Sequence, residues 1–390
     1  MQSDQARHHV EQLRELLAAG VAPQPLEDDS RCLRCSHAGV CLPDERALGE
    51  VHRRVLVADP DAQFLHLATP GSRASIRAGR LRVTHRDADL GTVPIERVMA
   101  LVVHGNVDVS SGLLRELLWR RVPVVWCSGS GRVVGWASSA AGPNGGPRVR
   151  QHVASAAGHL LLARGFVGAK IGNQATLLRR HGQAELTVRS LRVLQRRAAN
   201  ATSLVELFGI EGDAAARYFG KFSTMLSSAV TATEGILFAG RTRRPARDPI
   251  NAALNYCYGL LLADVIRAVV TCGLDPHAGF LHSSERNKPA LALDLCEEFR
   301  APIADSVVIG AFNNGELKAN SFTDVTGNSR LRDKGRAALI TAYERRVTTE
   351  FKHPLFGYRV TWRRAMEIQA RLVLGVLDGT QLGYKGIPTR

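Results

Sequence analysis

The chain has 390 residues, with 51 Lys and Arg against 36 Asp and Glu, a formal charge of +15, 45% hydrophobic residues, 6% aromatics and seven cysteines. The apolar fraction excludes a disordered chain, and at roughly 100–200 residues per domain there is room for about two or three folded units. No run approaches the roughly 18 uncharged apolar residues of a membrane helix, and Met1-Gln2-Ser3-Asp4 lacks the basic and apolar regions of a signal peptide, so a cytoplasmic protein with no membrane attachment is expected.

Arg7 to Gly20 carry Val10, Leu13, Leu16 and Leu17 at helical spacing and end on a glycine, which predicts a short amphipathic helix. A Pro-rich turn leads to Cys32-x2-Cys35-x5-Cys41. An odd cysteine count without an export signal argues against disulfides, so this cluster reads as metal-binding or redox-active. It is one ligand short of the usual four. His37 would complete a zinc site, a distant cysteine would complete an Fe–S cluster, and the remaining alternative is a tail whose cysteines bind nothing.

From Arg53 to Trp136 short apolar runs (Val55-Leu56-Val57, Phe64 to Leu67, Leu81-Arg82-Val83, Met99 to Val103) alternate with Gly, Asp and Pro turns, at intervals suited to an antiparallel sheet. A helix from Ser110 to Arg121 and a strand from Val122 to Trp126 follow. Gly129-x-Gly131-x3-Gly135 has the wrong spacing for a dinucleotide loop and continues as strand through Arg132-Val133-Val134, which predicts a hairpin turn. Ala137 to Pro147 is packed with Gly, Pro and Ser and reads as a linker at a domain boundary. Beyond it, Ala, Leu and Arg recur at helical spacing nearly to the end. The fold class is therefore α+β: a small β-rich N-terminal domain and a larger, mainly α-helical one.

The basic surplus is local. Residues 141–250 hold 16 Lys and Arg against 6 Asp and Glu, which points to a polyanionic partner there. The densest run is Arg241-x-Arg243-Arg244-Pro245-x-Arg247, either a solvated loop or a phosphate contact. If Leu291 to Arg300 is helical, Leu291, Leu295 and Phe299 share one face while Asp294, Glu297 and Glu298 cluster on another, with His282 in the preceding loop. Carboxylates with one imidazole suit Mn²⁺ or Mg²⁺ better than structural zinc. The alternative is a solvated acidic face and a turn-capping histidine. An acidic patch in a basic domain is what a metal-dependent phosphodiester enzyme requires, since Lys and Arg hold phosphates while carboxylates hold the ion. Cys127, Cys257, Cys272 and Cys296 lie among apolar residues and read as core side chains.

Asp248-Pro249-Ile250-Asn251-Ala252-Ala253-Leu254-Asn255-Tyr256, the helix Gly259 to Val269, Gly273-Leu274-Asp275-Pro276, Gly279-Phe280-Leu281-His282 and Leu293-Asp294-Leu295-Cys296-Glu297-Glu298-Phe299-Arg300 together resemble the signature of the CRISPR-associated integrase-endonuclease. Gly209-Ile210-Glu211-Gly212 with Ala214 to Phe219 is similar to the segment bearing that family's first acidic ligand, and Gly105-Asn106-Val107 with Gly129 to Arg132 fits its β-domain. The resemblance runs from about residue 50 through Tyr384. It implies that Glu211, His282 and Glu297 hold Mn²⁺ or Mg²⁺, with Asp294 as a further catalytic acid. Glu211 alone would be an ordinary residue near a helix N-terminus, favoured by the macrodipole. The implied reaction is transesterification: a prespacer 3′-hydroxyl attacks a phosphodiester at the edge of a CRISPR repeat. This needs no external energy source, and no Walker motif is present. The implied partners are double-stranded DNA, a second copy in a homodimer, and a small ferredoxin-like CRISPR adaptation subunit. Arg217, Arg241, Arg243, Arg244, Arg247 and Lys288 are the expected DNA contacts. Two rivals use the same residues: an endonuclease or junction resolvase with water as nucleophile, and a non-catalytic basic DNA-binding scaffold.

Arg31 to Cys35 and Cys41 to Glu45 resemble the C-terminal end of the CRISPR-associated Fe–S exonuclease, which is fused in front of the integrase in some organisms. Its nuclease motifs and first cluster cysteine are absent, so no exonuclease activity is expected and any 4Fe–4S cluster on Cys32, Cys35 and Cys41 would have an incomplete ligand set. Either the reading frame begins late in a longer fusion gene or a remnant persists. The resulting division is residues 1–47 (exonuclease remnant), 48–138 (β-rich dimerisation domain), 139–147 (linker) and 148–390 (helical catalytic domain).

Overall fold

The computed structural model describes residues 2–19, 63–86, 88–140, 145–242, 245–283 and 287–389. Cys32, Cys35, Cys41, His37, Val55 to Val57, Arg243 and Arg244 lie outside them. The first helix, α1 (Gln2–Ala19), begins five residues before the expected start. It falls in a unit separate from the main body, Asp61–Leu355 with Arg359–Arg390.

The main body opens with two four-stranded sheets. One contains β1 (Gln63–Leu67), β5 (Val98–His104), β7 (Val124–Cys127) and β8 (Val133–Ala137) in that order; the other runs β4 (Ala88–Pro94), β3 (Arg80–His85), β2 (Ser72–Arg77), β6 (Asp108–Val109). The expectation of antiparallel pairing holds for β2–β3–β4 and β7–β8, but β1–β5, β5–β7 and β2–β6 are parallel. The reason lies in β5: Val98-Met-Ala-Leu-Val-Val-His is a near-continuous apolar run, the pattern of a strand buried on both faces, and only Met99 in it is exposed. Helix α2 (Ser111–Trp119), capped by Ser110 Oγ accepting from Leu113 N, seats Leu113 and Leu117 in a core with Leu81, Leu101, Val103 and Val124. Each such side chain contributes roughly 1.5–3 kcal/mol of transfer free energy.

The β7–β8 connection is a hairpin turn, closed by Ser128 N donating to Arg132 O at 2.7 Å. It packs on helix α7 (Pro249–Thr271), and there a glycine is required on each side. A Cβ on Gly259 would stand 1.8 Å from the Gly131 carbonyl oxygen, and one on Gly131, at φ +83°, would stand 2.7 Å from the Tyr256 ring. The sheet face behind the turn (Val102, Val125, Cys127) packs on Ala263 of the same helix. The expected boundary at 139–147 therefore joins two regions that fold as one compact unit.

Helices then follow: α3 (Gly146–Ala157), α4 (Leu160–His181), α5 (Glu185–Asn200), α6 (Leu204–Gly220), α7 (Pro249–Thr271), α8 (Ala290–Phe299), α9 (Ser306–Asn313), α10 (Asp333–Val347) and α11 (Trp362–Leu377). Hairpins β9–β10 (Phe322–Val325, Asn328–Leu331) and β11–β12 (Glu350–Lys352, Arg359–Thr361) are inserted in the mainly α-helical region. Helix α7 has the length and mean apolar character to cross a membrane but carries Asp264 and Arg267, so no run of about 18 uncharged apolar residues occurs in it; it is a core helix whose part-exposed Asn255, Tyr258 and Leu262 line the cleft described below. Asp248 caps it by accepting from Asn251 N, and Pro249 sits in the first turn, where no N–H is needed. The four scattered cysteines, Cys127, Cys257, Cys272 and Cys296, are buried and free, as expected.

Candidate active site

Three elements converge on the floor of one cleft of about 1700 Å³. Helix α6 brings Glu211, the loop before α8 brings His282, and α8 brings Glu297. Glu211 lies mid-helix, not near the N-terminus, so tertiary placement and not the macrodipole accounts for it. The β7–β8 turn and the β9–β10 hairpin contribute to the same lining. Among the described residues the lining carries seven Lys and Arg against two carboxylates.

The acidic face predicted on α8 divides three ways, because the helix is buried all round. Asp294, fully buried, does not reach the cleft. Its Oδ2 accepts from Phe280 N (2.7 Å) and Leu281 N (2.9 Å), and its Oδ1 accepts from His282 N (2.8 Å) and His282 Nδ1 (2.7 Å). Both lone-pair sets are spent on shaping the loop and fixing the imidazole, which makes Asp294 a positioning residue and corrects its assignment as a catalytic acid. With Nδ1–H donated to Asp294, Nε2 of His282 is left as an electron-pair donor 3.9 Å from Glu297 Oε1. Glu298 turns to the opposite side. Its carboxylate accepts from Tyr384 OH, Gln369 Nε2 and Ile387 N, stitching the C-terminal segment to α8. Burial pushes its pKa up to about 7 against the pull of those donors.

Glu297 behaves differently although it is equally buried. Burial alone would raise its pKa, but Arg300 and then Lys170 hold its carboxyl down at about 2. Arg300 Nη2 lies 3.0 Å from Oε1, and its guanidinium stacks 4.9 Å over the Tyr258 ring. Tyr258 and Tyr218 both donate to Asp305, whose pKa burial pushes up to about 6.

Sequence reasoning missed Lys170. Helix α4 buries it to 5% exposure, with Nζ in contact with Glu211 Oε1 and 2.6 Å from Glu297 Oε2. The second contact is an ion pair off the hydrogen-bond direction, so Oε2 remains a buried acceptor without a donor. The available signal was a lysine within the largely apolar stretch Phe166 to Leu178, beside Asn173 and Gln174. With Lys170 between the carboxylates, no three His, Cys, Asp or Glu groups among the described residues stand close enough to hold an ion as they are. The donor set itself, two carboxylates and one imidazole nitrogen with an unsatisfied carboxylate oxygen, fits a hard divalent cation.

The expected DNA contacts separate. Lys288 lines the cleft. Arg241 also lines it, but its guanidinium is tied to Asn251 Oδ1 (2.8 Å) and Asn255 Oδ1 (2.6 Å) and stacks 5.2 Å over Tyr258. The Asp248-Pro249-x-Asn251 motif thus pins the basic loop to α7 and holds Arg241 in a fixed position at the cleft. Arg217 is outside the lining. At six residues past Glu211 it falls on another face of α6 and pairs with Asp213 (2.6 Å) and Ser190 Oγ (2.6 Å). Arg247 is likewise absent from the lining.

The sequence profile of the family described as "CRISPR associated protein Cas1" matches residues 65–345. A CRISPR-associated exonuclease Cas4/endonuclease Cas1 fusion of Geobacter sulfurreducens is 36% identical over 395 aligned residues, covering 98% of this chain and 71% of the relative. The corresponding fusion of Rhodospirillum rubrum is 37% identical, covering 94% and 65%. The chain thus spans between 65% and 71% of the length of these fusions. CRISPR-associated endonuclease Cas1 1 of Thermus thermophilus is 38% identical over 317 residues, covering 81% of this chain and 96% of the relative. Among solved structures, TM1797, a CAS1 protein from Thermotoga maritima, shares the fold with a TM-score of 0.71 at 23% identity, over 82% of this chain and 98% of that one. A casposase bound to integration product does so with a TM-score of 0.72 at 22% identity, over 83% and 92%. The match over residues 65–345 and the relatives above 35% identity place this chain in the CRISPR-associated protein Cas1 family, whose curated members are named endonucleases.

Proposed function

We propose that this protein is a metal-dependent DNA integrase of CRISPR adaptation, joining prespacer 3′-hydroxyl ends to phosphodiesters of the CRISPR repeat by transesterification. The observation that carries the reading is the convergence of Glu211, His282 and Glu297 at the floor of a cleft whose remaining charge is cationic. Glu211, Glu297 and Nε2 of His282 would hold Mg²⁺ or Mn²⁺. Such an ion stabilises charge on the reacting phosphate and lowers the pKa of a hydroxyl. The chain's own residues do the rest. Asp294 fixes the imidazole through Nδ1, so that Nε2 is the ring nitrogen turned toward Glu297. Arg300 keeps Glu297 ionised. Lys288, Arg330 and Arg336 line the walls where a polyanionic backbone would run.

A solved Cas6-RT-Cas1–Cas2 complex shares the fold; assembly of this chain with Cas2, as a small ferredoxin-like adaptation subunit, belongs to the same proposal. The homodimer, the cytoplasmic location and a metal or Fe–S site on Cys32, Cys35 and Cys41 belong to the same proposal. Incubating a labelled duplex bearing a 3′-hydroxyl with supercoiled plasmid and Mn²⁺ tests the chemistry. Covalently joined products are expected. Nicked plasmid without joined label would mean that water is the nucleophile, and binding without either product would mean a scaffold.

A further inference from the structure

The acidic floor of the cleft is already charge-balanced by the protein. Glu297 meets Arg300 through Oε1 and Lys170 through Oε2, and Glu211 meets the same Lys170. Lys170 therefore bridges carboxylates from two different helices while itself belonging to a third. Two carboxylates held this close repel in the absence of a cation, and one buried at 3% exposure cannot be relieved by water. A lysine suits such a bridge and also its release, since its ammonium is a point charge on a flexible four-carbon stem, unlike the rigid fork of Arg300. The release has a destination. Gln174, one turn along α4 and lining the same cleft, buries an Oε1 that has no hydrogen-bond partner.

We propose that Lys170 is a tethered counter-ion: in the metal-free protein it holds Glu211 and Glu297 together, and it gives way when a divalent cation takes their oxygens. This rests on the proposed metal site. It differs from a ligand role in sign, because a residue that competes with the ion must weaken metal binding while stabilising the metal-free fold.

The test compares wild type with Lys170→Met by thermal unfolding in EDTA and in Mn²⁺, and by Mn²⁺ titration followed through the electron paramagnetic resonance signal of the free ion. The variant is expected to melt lower in EDTA, to gain more from Mn²⁺ than wild type does, and to bind Mn²⁺ roughly tenfold more tightly. Equal or weaker Mn²⁺ binding by the variant would overturn the proposal while leaving the metal site intact. Absence of Mn²⁺ binding in both proteins would overturn the metal site and the proposal together. If Lys170→Met does not fold in EDTA, the double variant Lys170→Met/Glu211→Gln decides: recovered folding supports the counter-ion role, and no recovery overturns it.

Discussion

Asp294 grips His282 twice, through the backbone N–H at 2.8 Å and the ring Nδ1 at 2.7 Å, and so sets both the position of the loop and the tautomer of the imidazole. Replacing Asp294 by Asn keeps the shape but leaves one oxygen to accept what two accepted. Asp294→Asn should lower Mn²⁺ affinity or strand-transfer rate by about 10–100-fold, the range found for residues that orient a metal-ligating histidine. Metal titration and single-turnover joining measure this; a variant within about twofold of wild type in both would contradict the positioning role.

The Gly131–Gly259 contact predicts a steric consequence. A methyl group on Gly259 would stand 1.8 Å from the Gly131 carbonyl oxygen, so the turn that walls the cleft must move. Gly259→Ala should cost at least the upper end of roughly 1–3 kcal/mol for overpacking. Limited proteolysis should open the β7–β8 turn first. Unchanged denaturant midpoints would show that the two segments are not in contact.

Tyr384 donates to Glu298 and accepts from Gln369 Nε2 at 2.9 Å, far along the chain from α8. Tyr384→Phe leaves a buried carboxylate short of one donor, at a cost of about 1–3 kcal/mol. Differential scanning calorimetry should report a lower Tm, and a Tm equal to wild type would mean that the C-terminal segment is not held by this bond.

His104 predicts a pH dependence. Burial first, then the neighbouring charges of His66 and Arg336, push its pKa down to about 3 from the ordinary 6.5. Its ring bridges His66 Nδ1 at 3.0 Å and Tyr256 OH at 3.1 Å. Between those two pKa values the unfolded chain carries a proton on this histidine that the folded chain does not. Stability therefore falls as pH drops below 6.5, by up to about 1.4 kcal/mol per pH unit. His104→Gln removes that contribution. Urea midpoints at about pH 7.5 and about pH 5.5 should differ less in the variant than in wild type, and equal differences would contradict the assignment.

What was legible in the sequence was local or periodic. The hairpin turn at Gly131, the core cysteines and the helix carrying Glu297 follow from spacing, and the separate motifs bearing Glu211 and His282 follow from resemblance. What was not legible depends on which side of a fully buried helix each polar residue meets. Asp294, Glu297 and Glu298 share a few residues of sequence, yet they meet backbone N–H groups, two cations and the C-terminal segment respectively. No amphipathic periodicity marks those sides, because the helix has no exposed face. Parallel pairing in the β region was hidden for a related reason: short strands joined through loops and a helix can pair in either sense, and burial of β5 on both faces decides it. Lys170 escaped because a lysine among apolar residues announces burial without naming its partner.

In the proposed function Glu211, His282 and Glu297 carry metal-dependent strand transfer while other residues of the cleft bind DNA. The most direct measurement is the joining of labelled 3′-hydroxyl duplex to supercoiled plasmid by wild type, Glu211→Gln and His282→Ala, with DNA affinity measured in parallel. Wild type should give covalently joined products in Mn²⁺, and both variants should lose them while keeping DNA affinity within about threefold. Joined products at the wild-type rate from both variants would show that Glu211 and His282 do not carry the reaction.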